Sequence, residues 1–295
     1  MDVKVLALHG VGSSAVVLEQ QLAPLIQDLG ASYKFTFLDG SVSCERGPGM
    51  PPWSPGPFYS YSTGYSPSEM KEALDDLHEF ICETGPYDGV CGFSQGASIA
   101  AAYILARQKQ APDGPAPFSF AVFFSSVAAC SPEEGCYREL VGGLVKTCLT
   151  IPAFTVSLGN AEIANLDSDE KTFVDYMALT CHAIKCIGIR QPAIDLDCFQ
   201  HVDRVPRLIH PRLVEERINI PTVHVTGKKD LEFMVAQSLV LQQLCNPQSA
   251  LVHRHGQGHA IPTKITDIKA ITASIGRVAE QGRHLAAMKH ILQRL

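Results

Sequence analysis

Gly92-Phe93-Ser94-Gln95-Gly96 spells G-x-S-x-G, a pattern that can lift a serine hydroxyl out of a sharp strand-to-helix turn. The pattern is short and gains meaning only from its flanks. Here DGVCGF before it reads as a strand and ASIAAAYILAR after it as a helix, so Ser94 sits at the junction where such a turn belongs. Gly92, Gly96 and Ala97 are small enough to let strand and helix approach. The bland alternative is a serine that merely caps a helix.

A serine hydroxyl is a weak nucleophile until a base takes its proton. The chain order that goes with this turn is Ser, then acid, then His, each in a loop after a strand. Asp230 follows the strand-like TVHVT through Gly227-Lys228-Lys229 and takes the acid position, with a surface helix cap as its ordinary reading. Glu232 is the inferior alternative because it should already lie inside the next helix. For the base, His253-Arg254-His255-Gly256-Gln257-Gly258-His259 offers three imidazoles. His253 belongs to a strand and His255 to its end. His259 lies past two glycines in a loop that can swing over the sheet edge, so it is favoured, with His255 as the alternative. An oxyanion hole would take one amide from Gln95 and one from the early loop His9-Gly10-Val11-Gly12, where Val11 is the choice. His9 itself is read as shaping that loop.

These groups need a scaffold that brings distant loops to one edge. Val3–Leu8 is an apolar run of strand length, and Ala15–Leu29 has helical spacing that stops at Gly30. Tyr33–Leu38 alternates like a strand. A helix is expected from Ser68 to Gly85-Pro86, a strand over Tyr87–Phe93 and a helix over Ala97–Arg107. A strand over Phe118–Phe124 follows, and 131–220 is mainly helical and irregular. A strand TVHVT, a helix over Phe233–Leu244, a short strand Ala250–His253 and terminal helical pattern complete the chain. Strands alternating with helices imply one α/β domain over 1–295, a mostly parallel sheet with helices on both faces. The segment 131–220 is too long for an ordinary connection and is expected to form an inserted, mainly helical cap over the C-terminal edge of the sheet.

Between Ser41 and Pro67 the chain is rich in Gly, Pro and aromatic residues. Disordered segments are poor in aromatics, so an ordered loop is expected. Trp53, Phe58, Tyr59 and Tyr61 are candidates for lining a substrate channel, with packing against the protein's own core as the alternative.

Bulk properties bound the rest. Of 295 residues, 46% are hydrophobic and 18% charged, as in a globular protein with a sizeable core. The formal net charge of -6 argues against a nucleic-acid partner. No apolar run approaches the roughly 18 residues of a membrane span, and the N-terminus reads as a strand and not as a secretory signal. A cytoplasmic location follows as an expectation. The 10 cysteines lack metal-like or redox-like spacing and are read as reduced thiols, mostly in the core, Cys82 and Cys91 among them. No metal or cofactor is expected.

Taken in order, LALHGVGSSA with QQLAPL, FLDG, GPYDGVCGFSQGASIAA, VHVTGKKD and HGQGHAIP resemble the fungal serine hydrolase family from about Val3 to Ala273. The resemblance implies an α/β-hydrolase fold and a triad on Ser94, Asp230 and His259. Gln257 stands where many members carry Gly, which leaves the His in place. PPWSPGPFYSYS is similar to the corresponding loop of trans-acting thioesterases from fungal polyketide pathways. That likeness implies an acyl carrier protein domain of a polyketide synthase as partner and an acyl thioester as substrate. A carboxylesterase or acyl-protein thioesterase acting on small or lipid esters is the competing enzyme reading, since GFSQG occurs there too. A binding protein that kept the fold without the chemistry is the non-enzymatic one.

Overall fold

The computed structural model describes residues 2–50, 53, 54, 56–146, 166–188 and 201–292. Six strands form one parallel sheet: β1 (Val3–Leu8), β2 (Tyr33–Leu38), β5 (Gly89–Phe93), β6 (Phe120–Phe124), β7 (Thr222–Gly227) and β8 (Ala250–His255). Their spatial order is β2-β1-β5-β6-β7-β8. The chain starts in β1, steps outward to β2, then returns to add β5 on the other side. Parallel sheets place ligands where strand order reverses, outside the carboxyl ends of the strands. Here that crevice opens between the loops that follow β1 and β5.

Alternation along each strand feeds two cores. Leu6 and Leu8 of β1, Ala121 and Phe123 of β6 face one cluster. Val3, Val5 and Ala7, with Phe120, Val122 and Phe124, face the other. The second is closed by α1 (Ala15–Leu29) and α7 (Ile265–Leu292), through Leu18, Leu22, Leu25, Ile271 and Ile275. The first is closed by α2 (Pro67–Thr84) and α3 (Gln95–Gln110) and by helices from the segment between β6 and β7. A sheet buried on both faces must read as nearly continuous apolar strands, which is how FAVFF and VKVLAL read.

Helix α2 begins at Pro67, one residue earlier than the sequence suggests. Ser66 caps it, Pro67 occupies the first turn, and the Ser66 amide donates to Glu69 Oε2 at 2.9 Å in a capping box. The described residues of this loop include a small antiparallel pair, β3 (Val42–Ser43) with β4 (Tyr59–Ser60). This pair is stitched to the β1 loop: the Gly12 amide donates to Tyr59 O at 2.9 Å and the Tyr59 amide to Ser13 O at 2.8 Å.

The expected cap over 131–220 falls in part on 147–165 and 189–200, outside the described residues. Its described part holds α4 (Arg138–Lys146), α5 (Ser168–Ile187) and a 3-10 turn at Val202–Arg204. Between β7 and β8 lies α6 (Glu232–Gln243). Cys91, Cys130 and Cys245 are buried free thiols, but Cys82 is exposed on α2. An apolar spacing put Cys82 in the core; it sits near the end of the helix, beyond the stripe of Met70, Ala73, Leu74 and Leu77 that packs inward. Among the described residues, no helix is long and apolar enough to cross a membrane.

Candidate active site

Ser94 follows β5 in a conformation that side chains rarely adopt, φ 52° and ψ -114°. The turn is held from both sides. The Ser94 amide donates to Phe124 O at 2.9 Å, and Ser94 O accepts from the Ala97 and Ser98 amides. A side chain at Gly96 would come within 2.2 Å of Leu8 O, and one at Gly92 within 2.5 Å of Ala97. Both glycines are therefore required by close approach and not by composition. Ser94 caps α3 in position only: its side chain makes no cap hydrogen bond, so the hydroxyl is free of the ordinary capping role. The first amides of α3 lack partners within the helix, and a helix N-terminus favours negative charge beside it.

Gln95 follows, 1% exposed. Its side chain is locked into the stitched loop, donating from Nε2 to Ser60 Oγ at 2.8 Å and accepting the Tyr61 amide at 3.3 Å. This fixes the first residue of α3 and with it the Gln95 amide. Val11, Ser94 and Gln95 border one cavity, so the two expected oxyanion donors belong to residues on the same small volume.

Asp230 and His259 meet. His259 Nδ1 lies 2.8 Å from Asp230 Oδ2, and the Leu231 amide donates to Asp230 Oδ1 at 2.8 Å. The Asp230 side chain is 2% exposed and that of His259 29%. An acceptor-only carboxylate at Nδ1 requires the ring to carry its proton there, which leaves Nε2 able to accept one. The His259 ring packs on Phe93, the residue before Ser94, at 5.1 Å between centroids. The loops carrying the pair interlock: Lys228 and Lys229 amides donate to His255 O and Gln257 O, and a side chain at Gly227 would strike Gly258 O at 2.1 Å.

The competing residues are placed elsewhere. His253 Nε2 pairs with Asp267 at 3.0 Å. His255 is 1% exposed, and its Nδ1 accepts the Gln257 amide at 3.2 Å. Burial pushes its pKa down, so it stays neutral inside the strand end. Glu232 opens α6, as expected of a residue past the acid loop. His9 is buried, donating from Nδ1 to Gly10 O at 2.7 Å and accepting the Gly40 amide at Nε2. Burial lowers its pKa as well, and it braces the loop.

The aromatic loop departs from expectation. Tyr61 is 5% exposed; its hydroxyl donates to Leu38 O and accepts the His9 amide, which makes it a pin between loops. Trp53 is 82% exposed, while Phe58 and Tyr59 are half-buried. None of the four borders the cavity at Ser94, whereas Tyr65 does. No motif surrounds Tyr65 in the sequence; only the fold brings it to Gln95. Helix α5 also reaches this cavity, through Thr180, Ala183, Ile184 and Ile187. A much larger concavity, about 1000 Å³, opens at the opposite edge beside Phe118, Pro221 and Met288, and is bordered by neither Ser94, Asp230 nor His259. Size does not locate this site; chemistry does.

Residues 1–271 match the family model described as Serine hydrolase (FSH1). Among curated proteins, the chain is similar to Esterase alnB of Emericella nidulans, 34% identical over 278 residues, covering 92% of this chain and 95% of that one. It is also similar to Esterase FPY3 of Fusarium mangiferae, 29% identical over 262 residues and covering 88% of each. Among solved structures, a monoacylglycerol lipase of Paleococcus ferrophilus is 18% identical with a TM-score of 0.48, covering 95% of this chain and 94% of that one. With the parallel sheet, the strained serine turn and a family match over most of its length, the chain belongs to the FSH1 serine hydrolase family.

Proposed function

We propose that Ser94 is the nucleophile, His259 its base and Asp230 the acid that orients and charges-balances the imidazole. The observation that carries this is the 2.8 Å His259–Asp230 pair, packed on Phe93 next to the strained Ser94. Ser94 Oγ attacks the acyl carbonyl while His259 Nε2 takes its proton. The amides of Val11 and Gln95 hold the oxyanion, each worth ~3 kcal/mol in such sites. His259 returns the proton to the leaving group, then activates water to hydrolyse the acyl-enzyme.

The substrate we propose is an acyl thioester on an acyl carrier protein domain of a polyketide synthase. Support comes from the PPWSPGPFYSYS loop and its likeness to that of trans-acting thioesterases. Trp53, Phe58 and Tyr59 on that loop would meet the portion of the substrate that lies outside the cavity. A second reading, a carboxylesterase of small esters, is favoured by one observation: the cavity at Ser94 measures only about 40 Å³. Kinetics on matched thioesters and oxyesters decide between them. A strong oxyester preference removes the carrier-protein reading. Failure of a fluorophosphonate to label Ser94 in folded protein removes the nucleophile assignment.

A further inference from the structure

The cavity beside Ser94 has a composition that selects among acyl groups. One wall is the face of α5 carrying Ala183, Ile184 and Ile187, and Leu208 and Met234 close it. Its other polar side chains are already engaged. Gln237 accepts the Ala128 amide and donates to Phe233 O, and Thr180 donates to Tyr176 O. Tyr65 differs. Its phenol borders the cavity near the Cys130 thiol and is hydrogen-bonded by the Gln95 side chain, whose amide also serves Ser60 and Tyr61. A phenol oxygen that accepts from Gln95 keeps its own O–H to donate to an incoming acceptor. The size of the space is equally restrictive. At about 10–15 Å³ per water-sized group, a cavity of about 40 Å³ holds about three such groups.

We propose that this cavity is the acyl subsite, that α5 limits it to a short acyl group, and that Tyr65 reads an oxygen substituent close to the carbonyl. The inference rests on Ser94 as nucleophile, because only then does an acyl group enter this space. It names the substrate class from the chain's own walls: a short acyl group with an apolar end and a hydroxy or keto oxygen near its carboxyl carbon. Longer apolar chains meet Ile184 and Ile187 and must displace α5.

The test uses the full chain and four N-acetylcysteamine thioesters: acetyl, butyryl, 3-hydroxybutyryl and octanoyl. In the unmodified protein kcat/KM should fall at least tenfold from butyryl to octanoyl, and 3-hydroxybutyryl should exceed butyryl. Tyr65→Phe should erase that second preference, lowering the ratio of 3-hydroxybutyryl to butyryl kcat/KM about fivefold, as for one neutral hydrogen bond. Ile187→Ala should raise octanoyl relative to butyryl about tenfold. Ala183→Leu provides the opposite change, lowering butyryl more than the acetyl thioester. The proposal is overturned if octanoyl equals or beats butyryl in the unmodified protein, or if both wall variants shift every substrate in parallel. Equal loss on both four-carbon substrates in Tyr65→Phe overturns the role of the phenol. Failure of the Ser94 assignment looks different: every thioester, with every variant, then falls to the buffer rate and no fluorophosphonate adduct forms.

Discussion

Replacing Asp230 by Asn changes the charge beneath His259 while keeping the shape. The Asn oxygen can still accept the Leu231 amide that Asp230 Oδ1 accepts at 2.8 Å, so the loop should keep its form. What is lost is the anion facing the imidazolium that forms when Ser94 gives up its proton. For charge centres about 4 Å apart at an effective dielectric of about 20, Coulomb's law gives about 4 kcal/mol. Using the 2.8 Å atom separation instead, it gives about 6 kcal/mol. At about 1.4 kcal/mol per tenfold, that is a loss of about 10³ to 10⁴ in kcat. An amide that donates to Nδ1 also forces the proton onto Nε2, the wrong tautomer for a base, and reaches a similar factor by another route. Steady-state hydrolysis of a p-nitrophenyl ester by Asp230→Asn and Glu232→Gln provides the assay, with urea denaturation to show unchanged folding. Asp230→Asn retaining a tenth of the activity, or Glu232→Gln losing as much as it does, would refute the reasoning.

Ser94→Ala should abolish turnover yet leave stability within ~0.5 kcal/mol, because the hydroxyl makes no cap hydrogen bond; urea midpoints check this. Gly227→Ala should lower activity and stability together, by about 2 kcal/mol or more in urea melts, since its side chain would meet Gly258 O at 2.1 Å and pry the acid and base loops apart. His224 is 3% exposed and burial pushes its pKa down to about 3. Its folded value lies below its unfolded one, so the unfolded chain binds the extra proton and stability falls as pH drops from about 6.5 towards 3. Denaturant melts across that window should show His224→Phe flattening the slope by up to about 1.4 kcal/mol per pH unit.

The scaffold was legible because its strands are buried on both faces. VKVLAL, FAVFF and TVHVTG stand out as short apolar runs, and Gly30 and Gly85 mark helix ends where the periodicity stops. The three histidines were separable on the same grounds: His253 and His255 fall within the alternation of β8, and His259 lies past the glycines that end it. The start of α2 was missed by one residue because Ser66 and Ser68 both offer a cap, and only the Glu69 contact selects between them. Aromatic content pointed to a packed loop after β2 but not to where each ring goes. Tyr61 became a pin because its hydroxyl meets the His9 amide, a contact across distant sequence. The approach of α5 to Ser94 had no local signal at all, since the helix and the serine come from different strands' connections.

The division of labour around Ser94 bears on how such a chain can diversify. The proposed nucleophile, acid and base hang from β5, β7 and β8, and the loops of Asp230 and His259 are locked together through Gly227, Gly258 and the Lys228 and Lys229 amides. Most of the apolar wall beside Ser94 comes from the stretch between β6 and β7 that carries α5, with Met234 of α6 added. Drift in that stretch alters which molecules fit without disturbing proton transfer. Exchanging it as a cassette between relatives is therefore the economical route to new selectivity, with the reaction itself inherited intact.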